Sequence, residues 1–441
     1  MIGKLKWFLL ALILLLTGIQ DIWGQERKIL FHEHRETSNI DFHSFYPRLI
    51  LRYKLGPFYK LPKNPLLTPS PGSWDGRDVA DPYVVVRADS IILFYDGDSD
   101  ERYHIGYAVL DPSGWFWEKR GMIFSGSGAF WDSFHQIAPV VVEEGSGMKM
   151  YYNGNSEDSE LGYQFGLAIL KENRWISSQL PPIMGLDTSS WDFSGNIYGD
   201  VVYIPEEKRY RLWYSGFQGP ISSIGMAESS DGIHWKKRDE PVLTLLPGVI
   251  APDILFNGEQ YFMFFVQVFV THGQARTKIV RATSKDGIHW ENFQDVLYPE
   301  KSWEGSRVMR PNLSFFNQRV YLYYCAQKGS RWQIGAAYCD PEFVPEGVWK
   351  SSILNIHGSR LKIQFERPEG TGLMLILNEL EKNKTLMYDI LNDGKMLREG
   401  VYEKILELPE GFHLNRWTLQ LKLKTTRIHR TPVVYRVEVI P

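Results

Sequence analysis

In four places a tryptophan followed by a carboxylate precedes an apolar, strand-like run at a nearly constant distance. The pairs are Trp74-Asp75, Trp131-Asp132, Trp191-Asp192 and Trp303-Glu304. The runs open at Asp81-Pro82, Ala138-Pro139, Gly199-Asp200 and Arg310-Pro311, which sets the Trp 8, 8, 9 and 8 residues before the second opening residue. A further run, opening at Ala251-Pro252, keeps the rest of the pattern without the Trp. Successive openings are 57, 61, 52 and 59 residues apart. Repetition at roughly 50–60 residues restricts a chain to solenoids, propellers or arrays.

Each opening leads to an aromatic strand, such as Leu93-Phe94-Tyr95-Asp96-Gly97 or Met150-Tyr151-Tyr152-Asn153-Gly154, and then to a Gly-containing one, such as Ile105-Gly106-Tyr107-Ala108. Two units close on an Asp-Gly turn ending in Trp, Ser230 to Trp235 and Lys285 to Trp290. The strands are short, rich in Val, Ile, Tyr and Phe, and bounded by Gly, Asp, Asn and Pro. No helical period stands out between 66 and 343. Units of this length with about four strands each have the size of propeller blades, whose radial arrangement protects sheet edges. The pattern predicts an all-β chain with a five-bladed β-propeller over 66–343. From 345 to 441 the landmarks vanish and alternation takes over, as in Leu361 to Phe365 and Trp417 to Lys424. Half-buried antiparallel strands read this way, which predicts a C-terminal β-sandwich.

Lys4 and Lys6 precede the apolar run Trp7 to Leu16, too short for a bilayer span and typical of a secretory leader. Residues 1–24 are therefore expected to be a cleaved signal peptide, with a secreted or periplasmic product, and 25–65 an irregular extension containing His32, His34 and His43. Net charge is −3 and no basic cluster occurs, which argues against nucleic acid and against a membrane partner once the leader is removed. The two cysteines are Cys325 and Cys339. A hairpin centred at Gly329-Ser330 sets Cys325 opposite Ile334 and Cys339 opposite Val320, roughly 17 Å apart at the strand rise, so no disulfide is expected.

Inner strands of a propeller begin around one axis, so residues at their openings converge. Asp81, Asp200, Asp253, Arg310 and Asn312 stand there, with His135 and Gln136 before the second opening and Asn196 and Tyr198 before the third. Several carboxylates at one mouth suit glycoside hydrolysis, in which one group stays ionised while another donates a proton. Repetition marks architecture: Asp75, Asp132 and Asp192 read as turn formers, and Glu304 belongs to their series. Asp81 departs from its series, whose other members are Ala138, Gly199, Ala251 and Arg310, and is the stronger functional candidate. Arg310 departs likewise. Arg77 and Asp78 form an ion pair beside Asp81 or on the surface.

Val79-Ala80-Asp81-Pro82-Tyr83-Val84-Val85 resembles the first-blade opening of five-bladed glycosidases, namely glycoside hydrolase family 43 and its relatives 32, 68, 117 and 130. The phrases Trp131-Asp132, Pro139-Val140-Val141 and Lys149 to Gly154, with the two Asp-Gly-Ile-His-Trp turns, resemble the same superfamily over about 66–343. The resemblance implies a glycosidase acting on a poly- or oligosaccharide, with Asp81 as base or nucleophile and Asp200 near the position that tunes the acid. It implies a Glu in the fourth blade where this chain has Ile250-Ala251-Pro252-Asp253. Asp253 is kept there, and Glu304 and His272 are the alternatives for the acid. Substrate contacts are expected from Arg77, Asp78, His135, Gln136, Tyr198, His272 and Arg310. No cofactor or metal ligand set is called for, although a structural Ca2+ is compatible with the superfamily. Two other functions fit the same residues. One is a non-catalytic glycan-binding propeller, favoured by Ile250. The other is a phosphate-dependent phosphorylase, in which Arg310 and Arg77 would hold phosphate.

Overall fold

The computed structural model describes residues 28–440 apart from 30, 32–33, 42–47, 113, 115, 145–146, 158–161, 179–180, 205–206, 411, 413 and 415. The predicted leader, His32 and His43 lie outside the described residues. The chain divides into two compact units, one formed by Asp41–Tyr46 and Tyr53–Phe343, the other by Met1–Ile40, Pro47–Arg52 and Val344–Pro441.

Among the described residues the larger unit holds a short pair of Tyr53–Lys54 with Glu342–Phe343 and five successive antiparallel sheets, the third and fourth touching through a parallel contact of Ser222 with Gly248. Their inner strands are Asp78–Val86, His135–Glu144, Gly195–Ile204, Gly248–Phe256 and Arg307–Phe316. The first four continue through three further strands in chain order, down to the two-residue strand Lys236–Lys237 of the third sheet. The fifth takes its fourth strand from the N-terminal side, where Tyr59–Lys60 pairs with Ala337 and Tyr338. This strand lies ahead of residue 66, in the segment expected to be irregular. Apolar cores lie between neighbouring sheets. One joins Phe94 and Ile105 of the first to Met150 and Tyr152 of the second; another joins Trp213 and Ile224 of the third to Met263 and Phe265 of the fourth.

The repeated Trp, carboxylate and Gly form one device. Each Trp stacks on a tyrosine of its sheet's second strand, with ring centroids 5.4–6.1 Å apart for Trp74–Tyr95, Trp131–Tyr152, Trp191–Tyr214 and Trp303–Tyr324. The neighbouring Gly leaves room for the indole: a Cβ at Gly106 would lie 2.3 Å from Trp74, and one at Gly335 2.6 Å from Trp303. In the first and fifth sheets the carboxylate ties the tyrosine hydroxyl to the outer strand. Asp75 accepts from Tyr95 (3.0 Å) and Lys119 (2.5 Å), and Glu304 from Tyr324 and Lys60 (both 2.7 Å). Asp192 accepts from Lys237 (2.8 Å), and Asp132 from Tyr152 (2.7 Å) and Ser127. The fourth sheet has no Trp, and the other parts change with it. Phe265 replaces the tyrosine and Val280, paired with it, replaces the Gly.

All five inner strands bulge. Pairing slips between Ala80 and Tyr83, Ile137 and Val140, Ile197 and Asp200, Ile250 and Asp253, and Met309 and Asn312. At each bulge one non-glycine residue adopts a left-handed conformation: Asp81, Ala138, Tyr198, Ala251 and Arg310, with φ between 48° and 55°. Such residues cost on the order of 1 kcal/mol each and persist where the surroundings over-determine them. Their occurrence fixes the register of the repeat. The third opening is Tyr198-Gly199, and each left-handed residue follows its Trp by seven positions where a Trp is present. Asp200 is thus equivalent to Asp253 and Asn312, and Tyr198, not Gly199, is the counterpart of Asp81.

In the second unit, His34–Ser38 edges a five-stranded antiparallel sheet with Glu346–Ser351, Trp417–Thr425, Thr371–Glu379 and Lys384–Asp389. Lys395–Arg398, Val401–Glu407, Arg360–Glu366 and Val433–Ile440 form a second sheet. Alternation buries one face of each: Leu361, Ile363 and Phe365 in one sheet, Leu419, Leu421 and Leu423 in the other.

Candidate active site

Four of the five left-handed residues, Asp81, Ala138, Tyr198 and Arg310, are drawn together. Arg310 reaches across the ring and donates to the carbonyls of Gly199 (3.2 Å) and Ala138 (3.5 Å), and its guanidinium lies 5.6 Å from the Tyr198 ring. Beside them a cavity of about 150 Å³ is lined by Asp81, Asp96, Tyr103, Tyr163, Tyr198, Cys325 and Trp332, with Ala80, Ile137 and Met309. The ring therefore presents one acid, one guanidinium, one phenol and two methyl groups.

Asp81 is 5 % exposed. Its only hydrogen-bond partner among the described residues is the Cys325 thiol, at 3.8 Å. Burial pushes its pKa up to about 6, against the pull of Arg310 and the thiol. Asp96, 2 % exposed, stands on the second strand of the same sheet. Burial, and then the charge of Asp81, push its pKa well above the carboxylate range.

Two walls of the cavity are fixed by Asp78. It accepts from the Tyr103 hydroxyl (2.9 Å) and from the Trp332 backbone N–H (2.7 Å), linking the first sheet to the fifth. Arg77 pairs with Asp98 (2.8 Å), Asp78 (3.5 Å) and Glu101 (3.4 Å) and is half exposed. His135 stacks on Tyr163 and meets Tyr103 edge-on, so it stands at the aromatic rim. Burial, then the charges of His104 and Arg77, lower its pKa to about 4, which leaves it neutral at neutral pH. It accepts from the Tyr103 N–H at Nδ1 (3.2 Å). Gln136 is buried between His104 (2.6 Å) and the Asp132 carbonyl (2.5 Å).

Other predicted residues lie elsewhere. Glu304 is fully buried in the loop beside Trp303, accepting from Lys60, Tyr324 and the N–H groups of Glu300 and Lys301, and it does not line the cavity. Its four donors leave it acceptor-only, which removes it from the candidates for the acid. His272 tips the hairpin between Tyr261–Thr271 and Gln274–Ser284, where it is exposed. Asp200 and Asp253 lie beyond the bulges as inter-strand staples. Asp200 accepts from the Ile254 N–H (2.7 Å) and Asp253 from Leu313 N–H and the Asn312 side chain (both 3.0 Å). Asn312 in turn accepts from the Val84 N–H (2.8 Å), which brings the fifth sheet back to the first. Neither carboxylate lines the cavity, although burial raises the pKa of both. Asp96, Tyr103, Tyr163 and Trp332 were not singled out from the sequence, and Cys325 was named there only as an unpaired thiol. Among the described residues, no group of three or more His, Cys, Asp or Glu is placed to hold a metal ion.

No protein-family profile and no curated protein matches the chain. Solved structures do. A glycoside hydrolase superposes with a TM-score of 0.54 at 19 % identity, over 64 % of this chain and 91 % of its own. A glycosyl hydrolase from Bacteroides ovatus gives 0.52 at 14 %, over 65 % and 97 %. The chain has the fold of the propeller glycoside hydrolases. A third likeness is to a structure from the GH130 family, described as mannoside phosphorylases containing glycoside hydrolases that target β-1,2 mannosidic linkages in Candida mannan. It gives 0.52 at 13 % identity, over 65 % of this chain and 94 % of that one. At these identities the likeness is one of fold.

Proposed function

We propose that this chain is a secreted glycoside hydrolase that cleaves O-glycosidic bonds in a poly- or oligosaccharide. In this reading the five sheets are the blades of a propeller, and the two sheets of the other unit form a β-sandwich. The observation that carries the proposal is the seat of Asp81 in a walled cavity among Tyr103, Tyr163, Tyr198 and Trp332. A desolvated carboxylate in the field of the Arg310 charge serves as base or nucleophile at an anomeric carbon, and aromatic rings suit the apolar faces of a sugar. The fold shared with glycoside hydrolases supports the reaction class, and the run Trp7 to Leu16 behind Lys4 and Lys6 supports export. Tyr103 and Trp332, both held by Asp78, position the sugar. Arg310 holds the charge of Asp81.

The test is reducing-sugar release across a glycan panel, with and without inorganic phosphate, for the wild type and Asp81→Asn. Phosphate-independent release that disappears in the variant is expected. Release only with phosphate would assign a phosphorylase. Glycan binding without release, unchanged in the variant, would assign a binding propeller.

A further inference from the structure

The hydrolase reading lacks a proton donor, because Ile250 stands where the resemblance implies a Glu and Glu304 is engaged elsewhere. We infer that Asp96 is the proton donor of this site. The inference rests on the hydrolase reading and on a second series of equivalent positions.

One residue of each second strand pairs with the residue just before the left-handed one: Asp96 with Ala80, Asn153 with Ile137, Ser215 with Ile197, Val266 with Ile250 and Cys325 with Met309. Members of this series serve the next sheet. Asn153 Oδ1 accepts the Tyr198 N–H (2.9 Å), Ser215 Oγ accepts the Ala251 N–H (2.8 Å), and Cys325 faces Asp81. Asp96 is the one carboxylic acid in the series and departs from its work. Its counterpart would be the Ala138 N–H, yet its Oδ1 is buried without a hydrogen-bond partner. A buried polar atom left unpaired calls for an explanation, such as a bound water, a ligand or a catalytic role. Asp96 lines the same cavity as Asp81. Two carboxyls share that space, and a carboxyl that is desolvated beside a like charge keeps its proton. Arg310 favours the anion at both, but it is the largest charge acting on Asp81, whereas the largest acting on Asp96 is Asp81 itself, which opposes ionisation. The asymmetry divides the roles.

In the reaction the Asp96 proton moves to the glycosidic oxygen as the bond from the anomeric carbon to that oxygen breaks, its electron pair passing to the oxygen. Water bonds to the carbon and gives its proton to Asp81. Proton exchange with solvent resets both groups, and the sum is hydrolysis.

The experiment compares leaving groups. A panel of 4-nitrophenyl glycosides identifies the sugar that the wild type accepts. kcat/KM is then measured on the methyl and 2,4-dinitrophenyl glycosides of that sugar for wild type and Asp96→Asn. General acid catalysis contributes about 10²–10⁴-fold, and the variant is expected to lose that much on the methyl glycoside. On the dinitrophenyl glycoside, whose leaving group needs no proton, the loss is expected to stay under about tenfold. The wild-type pH profile gives a readout that needs no variant. An alkaline limb is expected with the methyl glycoside and not with the dinitrophenyl one. Equal losses on both substrates, no loss, or matching alkaline limbs overturn the assignment while leaving the hydrolase reading in place. A wild type inert toward every glycoside overturns both.

Discussion

Two rings of side chains run around the larger unit, and they obey opposite rules. The outer ring repeats: Asp75, Asp132, Asp192 and Glu304 each occupy the same loop position beside a Trp and bind that loop to strands of their own sheet. The inner ring keeps its backbone, a left-handed residue at each bulge, but varies its side chains as Asp81, Ala138, Tyr198, Ala251 and Arg310. A carboxylate that recurs in four of the five sheets is serving what those sheets share, namely packing and strand ties. A side chain found once, on a backbone that recurs, serves what the molecule needs once. The fourth sheet shows how tightly the outer ring is coupled. It lost the Trp, the tyrosine hydroxyl and the small residue beneath the indole together, since each is useful only with the others.

The strongest break of this comparison is Asp81→Asn. Activity is expected to fall by at least about 10³-fold, as for loss of a nucleophile or base. Stability should move the other way. Asp81 releases its proton near pH 6 in the folded chain and near 3.8 in an unfolded one. The folded state therefore holds the extra proton between those values, and stability declines as pH climbs from about 4 to 6. Above that window Asn removes a buried charge and should stabilise the fold by up to about 3 kcal/mol. Urea unfolding at pH 4 and pH 8 reads the difference; an equal effect at both would show that Asp81 is not desolvated.

Asp75→Ala tests the outer ring. It leaves the Tyr95 hydroxyl without its partner and removes the anion from Lys119, which keeps Thr68 and Ser70. The expected cost is about 2 kcal/mol, for one unsatisfied buried hydroxyl and the loss of a partly screened charge pair. kcat/KM per folded molecule should stay within a few-fold of wild type. A folded variant with activity lost as deeply as in Asp81→Asn would collapse the distinction between the rings.

The sequence carried the outer ring openly, because a Trp-carboxylate pair at a fixed distance from an apolar run is visible without coordinates. Asp81 was legible for the complementary reason, as a charge where its series has small residues. The third opening was misread by one position, since Gly199-Asp200 imitates an opening dipeptide, while the constant distance from Trp191 to Tyr198 carried the true register. Asp96 was missed because it sits in an aromatic-polar-Gly phrase that reads as a strand end. The series Asp96, Asn153, Ser215, Val266 and Cys325 held the same kind of departure as Asp81. The Cys325–Ile334 and Cys339–Val320 pairings follow the hairpin arithmetic. The strand Tyr59–Lys60 could not be read at all. Two residues have no periodicity, and only the open edge of the fifth sheet makes them a strand.

Glu304→Gln sharpens the contrast through pH. Burial would raise the pKa of Glu304, but the donors from Lys301, Lys60, Tyr324 and Glu300 outweigh it and hold the carboxyl below its usual range. Its stabilising contribution is thus present above about pH 4.5 and lost as the pH falls through the folded value, the reverse of Asp81. The amide keeps some hydrogen bonds and loses the charge, so a cost of about 1–2 kcal/mol is expected at pH 7, shrinking below pH 4. A cost independent of pH would mean that the charge of Glu304 contributes nothing to stability.

The smallest expected effect belongs to Cys325→Ser. Burial, then the neighbouring Asp81 charge, keep the thiol protonated, so it acts as a weak donor to Asp81 at 3.8 Å. A hydroxyl is a stronger donor and would stabilise the Asp81 anion. The acidic limb of kcat/KM, which follows Asp81 ionisation, should move to lower pH by less than about one unit, with little change at the plateau. A limb that stays in place would mean that Cys325 only fills space, as the apolar Val266 does at the same position of the fourth sheet. Movement would show that a position which serves the backbone elsewhere in the molecule has been turned, in the fifth sheet, toward the acid of the first.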